Sequence, residues 1–178
     1  MFFVSSFFCT FVRFGTYIYV MTARTRYIEL LSPARDYKAA IAAIDCGADA
    51  LYIGAEGFGA RRSATNTTED IARVVDYAHL FGVKVYLTVN TIFKNKETEQ
   101  LADFIRPFYE VGLDGVIVQD LGVLAYMKQH FPDMERHIST QMTVTSVEGA
   151  RFLVENGASR VVPARELTME ELKAMCEA

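Results

Sequence analysis

A single unit, repeated along the chain, limits what it can fold into. In Gly112–Gln129 a glycine ends one helix, two residues turn the chain, and Gly115-Val-Ile-Val118 makes a short apolar strand. Gln119 and Asp120 stand at its carboxyl end, and a new helix starts at once. Gly47-Ala-Asp-Ala-Leu-Tyr-Ile, Gly82-Val-Lys-Val-Tyr-Leu-Thr-Val and Gly157-Ala-Ser-Arg-Val-Val repeat the design. Glycine suits the left-handed position that closes a helix. An apolar run without alternation suits a strand covered on both faces, as in a parallel sheet. Polar residues stand where each strand stops, the place where α/β proteins carry their chemistry.

Taken in order, the first strand is expected at Tyr27–Leu31, with Glu29 inside it and Ser32-Pro33 at its end. Asp36 caps the helix that follows to Cys46, and strand two is Ala50–Ile53. A glycine-rich loop, 54–66, carries Glu56, Arg61 and Arg62. Thr67-x-x-Asp70 is a capping box for a helix whose apolar stripe is Ile71, Val74, Val75 and Ala78. Strand three is Lys84–Val89, ending at Asn90. Glu97–Val111 reads as one helix with Leu101, Phe104, Ile105 and Phe108 on a face and a kink at Pro107. The helix from Leu121 stops near His130, and strand five is His137–Ser139, followed by Thr140-Gln141-Met142. Thr145-x-x-Glu148 is read as a capping box, with Val147, Ala150 and Val154 facing the core. Strand six is Arg160–Val162, trailed by Arg165 and Glu166, and Thr168-x-x-Glu171 caps a last helix.

Strand and helix therefore alternate six times, which predicts parallel strands joined by right-handed crossovers. An open doubly wound sheet would gather its polar residues at one switch point. Here they mark nearly every strand end, which favours a TIM-barrel-like (β/α) repeat, incomplete at about six βα units. Such an arc is expected to leave its first and sixth strands as unpaired edges, able to pair in a dimer.

Residues 1–20 form a phenylalanine-rich leader with one charge, Arg13, and neither a signal-peptide pattern nor a membrane span's length. The working protein is read as starting at Met21, so that 21–178 is the partial barrel; a weak membrane anchor is the alternative. A net charge of −4 gives no overall basic footprint for nucleic acid, although a local arginine cluster can hide in an acidic total. Cys9, Cys46 and Cys176 are too scattered for a disulfide framework or a zinc site and fit isolated thiols in a reducing cytoplasm.

The segments Glu29-Leu-Leu-Ser-Pro-Ala34, Gly47–Gly54, Phe58-Gly-Ala-Arg61 and Val85–Asn90 resemble the N-terminal half of peptidase family U32, the collagenase-like proteases. Val116–Gly122, His137-Ile-Ser-Thr-Gln-Met142 and Ala164-Arg-Glu-Leu-Thr168 continue the resemblance in the same order. It implies a barrel-like catalytic domain. It also implies either a peptidase acting on peptide substrates or oxygen-independent hydroxylation of bases in tRNA or rRNA. For the second activity it implies an iron–sulfur cluster, with prephenate as oxygen source. The family's signature cysteines have no counterpart in this sequence, so this chain is expected to bind no cluster. Arg35 stands where the family has glycine, which reshapes the first loop. A non-catalytic partner subunit is the third reading, and a stable membrane association is not expected.

Arg61, at the family's arginine position, suits a bidentate clamp on carboxylate or phosphate, whereas Arg62 reads as solvated. Asn90, Gln119 and Gln141 each end a strand with an amide that both donates and accepts, and together they argue for a polar mouth. Asp120 serves equally well as a helix cap. Arg165 and Glu166 are substrate-binding and catalytic candidates, with a simple ion pair as the rival role. Glu29 is a candidate general base whose rival role is a buried ion pair. His137 is a possible base placed at the doubtful end of its strand, and His79 and His130 are assigned no chemistry. No metal set, Ser/His/Asp set or Cys/His set stands out.

Overall fold

The computed structural model describes residues 28–59 and 65–178. It contains six strands, β1 (Leu31–Ala34), β2 (Ala50–Ile53), β3 (Lys84–Val89), β4 (Gly115–Val118), β5 (Glu135–Ile138) and β6 (Arg160–Val161). Between and after them lie α1 (Tyr37–Asp45), α2 (Thr68–Leu80), α3 (Asn95–Glu99), α4 (Leu101–Glu110), α5 (Leu121–His130), α6 (Val147–Glu155) and α7 (Met169–Glu177). All pairings are parallel and the strand order is β1-β2-β3-β4-β5-β6. Because each strand lies beside its predecessor, the order never reverses and there is no switch point. That is the winding of a barrel.

The recurring glycine works as expected. At the end of α1, Gly47 has φ +90°, its N–H donates to Ile44 O, and the Ala48 N–H donates to Ala43 O. The same pair of bonds recurs at Gly82, Gly112 and Gly157, so four helices end in one Schellman motif. The residue after each glycine (Ala48, Val83, Leu113, Ala158) is buried and fixes the exit angle. Before each even-numbered strand, a side-chain oxygen then pins the register against the preceding strand. Asp49 Oδ2 accepts from Leu30 N, Asp114 Oδ2 from Val85 N, and Ser159 Oγ from Arg136 N.

One face of the sheet packs on the helices through Leu51, Ile53, Leu87, Val116, Val118 and Ile138. The α2 stripe of Ile71, Val74, Val75 and Ala78 covers it, as its spacing predicts. The other face is polar and concave. Six strands laid flat at about 4.8 Å spacing would hold β1 and β6 roughly 24 Å apart, beyond the combined reach of two side chains. Yet Glu29, just before β1, meets Arg160, the first residue of β6, with Nη2 and Oε2 3.0 Å apart. The sheet must curl to allow this, and the result is a half-barrel.

Several expected boundaries move. The first strand begins at Leu31, so Ser32 and Pro33 lie inside it and Glu29 precedes it. Pro33 is tolerated because β1 is an edge strand. The fifth strand begins at Glu135 rather than His137. The single helix expected at 97–111 is broken at Gln100 into α3 and α4, with Pro107 inside α4. Ser146, not Thr145, caps α6, accepting from Gly149 N, and Leu153 rather than Val154 is the buried residue of that helix; Val154 is exposed. The capping boxes at Thr67 and Thr168 form as the sequence predicts.

Candidate functional site

Parallel strands in unbroken order bring all their carboxyl ends to one edge. Asn90 directly follows β3 and Gln119 directly follows β4; Gln141 lies in a short 3-10 turn, Thr140–Met142, after β5, and Arg165 and Glu166 lie in a turn after β6. Gln119 Nε2 donates to the Gln141 carbonyl at 3.3 Å, which joins two of these positions directly. The Thr143 hydroxyl donates to the same carbonyl, and Thr143 itself is left-handed at φ +58°, an uncommon conformation for a β-branched residue. Arg165 and Glu166 are both exposed and do not pair with one another. Arg61 and Arg62 lie outside the described residues, as do residues 1–20 and Cys9.

The loops around this edge are held by specific bonds. Asp120 caps α5 through Gly122 N (2.7 Å) and Val123 N (3.1 Å), and its other oxygen accepts from Phe93 N of the neighbouring loop. Both its oxygens are thus committed to structure. Phe58 stacks on Phe93 with centroids 4.7 Å apart and meets Phe104 edge-on. Buried Asn66 donates to the carbonyls of Arg35 and Gly54 and so ties the ends of the first two strands together. Sequence reasoning passed over Asn66, because a lone asparagine in a glycine-rich loop carries no pattern.

A second polar group occupies the concave face toward the opposite, amino-terminal edge. Glu29 binds Arg160 through two nitrogens, Lys84 binds Glu135 Oε1, and His137 Nε2 lies 2.9 Å from Glu135 Oε2. Tyr86 sits among them, wholly buried yet outside the apolar cluster. Its ring meets His137 edge-on at 4.3 Å, and its hydroxyl donates to Glu135 at 3.4 Å. Tyr86, Gly115 and Glu135 are level across β3, β4 and β5. Glycine is required between them, since a Cβ at 115 would stand 2.5 Å from the Glu135 carbonyl oxygen.

The hydrogen bonds from Arg160 hold the Glu29 carboxyl below its ordinary range. Burial pushes Glu135 up, but the bonds from Lys84 and His137 outweigh it and the net shift is downward. Lys84 is raised by Glu135, Tyr86 is raised by burial, and His137 is lowered by burial. Glu29 therefore takes the ion-pair role, away from the strand-end mouth where a general base would meet substrate. The signal for this group in the sequence is the pair of i, i+2 polar positions, Lys84/Tyr86 in β3 and Glu135/His137 in β5, which share one face of the sheet.

Among the described residues no three metal-ligating side chains come together, and Cys46 and Cys176 are exposed at the end of α1 and on α7. These residues do not fit an iron–sulfur cluster. No described helix is long and apolar enough to cross a membrane.

The sequence model of peptidase family U32 matches residues 35–178. The chain is 44% identical over 158 residues to the 23S rRNA 5-hydroxycytidine C2501 synthase of Escherichia coli K12, covering 89% of this chain and 24% of that protein. It is 34% identical to tRNA hydroxylation protein P1 of Bacillus subtilis strain 168, over 86% of this chain and 36% of that protein. It is also 34% identical to the collagenase of Porphyromonas gingivalis W83, over 84% and 36%. The chain thus spans about a quarter to just over a third of these relatives' lengths. The solved structure of the U32 peptidase Mk0906 superposes with a TM-score of 0.69 at 16% identity, over 85% of this chain and 65% of that one, a likeness of fold. On the extent of the family match, the chain belongs to peptidase family U32.

Proposed function

We propose that the protein carrying this chain hydroxylates a base in tRNA or rRNA without molecular oxygen, and that this chain supplies one arc of the mouth that holds the substrate. The observation that carries the reading is the 44% identity to an rRNA 5-hydroxycytidine synthase across nearly the whole chain. The geometry supports it. Amides from Asn90, Gln119 and Gln141 are grouped at one edge, and side-chain amides match the mixed donors and acceptors of a base edge. Arg165, exposed beside them, is suited to a phosphate or to the carboxylates of prephenate. An iron–sulfur cluster would have to be held by residues other than those described. An RNA substrate fits a cytoplasmic location for the protein.

The protease reading has less behind it. The three histidines are committed elsewhere: His137 to Glu135, His79 to Asp114, and His130 stacked on Tyr126 at the end of α5. Among the described residues none of them is hydrogen-bonded to a serine or cysteine, and the Ser139 hydroxyl after β5 accepts from Gln141 N instead.

The test is mass spectrometry of nucleosides from an Escherichia coli strain lacking its C2501 synthase and expressing the full-length protein. Restored 5-hydroxycytidine in 23S rRNA, or a gain of hydroxylated nucleoside in tRNA, is the expected result. Unmodified RNA together with casein cleavage by the purified protein, lost in Glu166→Gln, would establish the protease instead.

A further inference from the structure

The concave-face network contains one anomaly. His137 is 1% exposed, and its Nδ1 is a buried side-chain polar atom with no partner among the described residues. A carboxylate only accepts hydrogen bonds, so the 2.9 Å contact with Glu135 fixes the imidazole proton on Nε2. Nδ1 is left as a bare lone pair in a closed site.

We propose that His137 is an acid-operated latch on the curvature of the sheet. Neutral, it lets Glu29 and Arg160 hold β1 and β6 together; protonated at Nδ1, it draws Glu29 from Arg160 and releases the two ends.

The charges around the ring make this exchange the available response. Glu135 touches it from its own strand and Tyr86 from β3, Arg160 is level with it on β6, and Lys84 and Glu29 stand one contact further out, on Glu135 and on Arg160. With the imidazole neutral, two carboxylates balance two cations. A proton on Nδ1 adds an uncompensated charge and a buried N–H without an acceptor. Glu135 is already bound by Lys84, Tyr86 and His137 Nε2, so Glu29 is the anion left to answer it. Arg160 tolerates the loss, because its guanidinium lies over the Tyr86 ring, 5.9 Å from the centroid, and is about a third exposed. Burial and Arg160 hold the imidazole neutral to lower pH than an ordinary histidine, against the pull of Glu135 and Glu29.

Imidazole nitrogen NMR through a pH titration tests the latch, with the His137 signal assigned by its loss in His137→Gln. The expected result is a single Nε2–H tautomer at neutral pH and a midpoint below the ordinary histidine value of 6.5. Backbone amide protection in β1 and β6, corrected for the intrinsic pH dependence of exchange, should fall roughly tenfold at the same midpoint, as local opening does when one tie is lost. In Glu29→Gln, protection at the two edges should be low already at neutral pH and flat across that titration. An Nδ1–H tautomer, a midpoint at or above 6.5, or edge protection indifferent to His137's titration would overturn the proposal. The first two readouts need only the unsubstituted protein, so a variant that fails to fold does not remove the test.

Discussion

The two edges of this half-barrel are built from the same strands, yet they treat their polar residues in opposite ways. Toward the amino-terminal edge, Glu29, Lys84, Glu135, His137 and Arg160 are spent on one another. At the carboxyl edge, Arg165 and Glu166 are exposed and unpaired with each other, and the rigidity comes from Asp120, Asn66 and stacked phenylalanines behind them. Polar groups are paired with one another at the first edge and displayed to solvent at the second. Substitutions should therefore separate the edges cleanly: folding suffers at one and binding at the other.

The largest effect belongs to the closed edge. Tyr86→Ala removes a wholly buried ring from the centre of the network and should cost about 3–5 kcal/mol by chemical denaturation. A cost below about 1 kcal/mol would mean the network does not organise the concave face. Gly115→Ala comes next, because its Cβ would meet backbone rather than a movable side chain, and about 1–3 kcal/mol is expected. At the open edge, Arg165→Lys in the full-length protein should weaken an anionic ligand by about ten- to a hundredfold by calorimetry while the melting temperature holds. The reverse pattern would assign Arg165 to folding.

A smaller effect is the pH dependence of stability. The folded state lowers the His137 pKa, so below the ordinary value of 6.5 the unfolded chain binds more protons and stability falls as pH drops. Glu29 and Glu135 are also lowered, so a second loss begins as pH falls below the ordinary 4.5. Thermal melts should show both steps, with the first missing in His137→Gln. The smallest effect is Gln119→Ala, expected within about 0.5 kcal/mol of wild-type stability because its amide makes one long bond near solvent.

The glycine units announced the fold because their chemistry is local: a left-handed residue, a turn and an apolar run lie within a few positions. The positions of Asn90, Gln119, Gln141 and Arg165 were readable for the same reason, since an in-order parallel sheet sends every strand end to one side. The network was not. Glu29 and Arg160 meet 131 residues apart, and no spacing rule reaches that far. Pro33 misled the reading of β1 because proline marks a strand's end except at a sheet edge, and edges are a property of the whole sheet. Val154 misled the reading of α6 because the cap lies one residue later than the motif suggested.

The strictly sequential order of the strands also bears on how the chain acquires its shape. Each new strand finds its partner one unit back, so loops to be closed are short and the entropic barrier to each addition is modest. Units can dock one after another as they leave the ribosome. The bond between Glu29 and Arg160 is the exception, since it must wait for the sixth strand. It is a late contact of assembly, and it closes a curve that the earlier steps have already drawn.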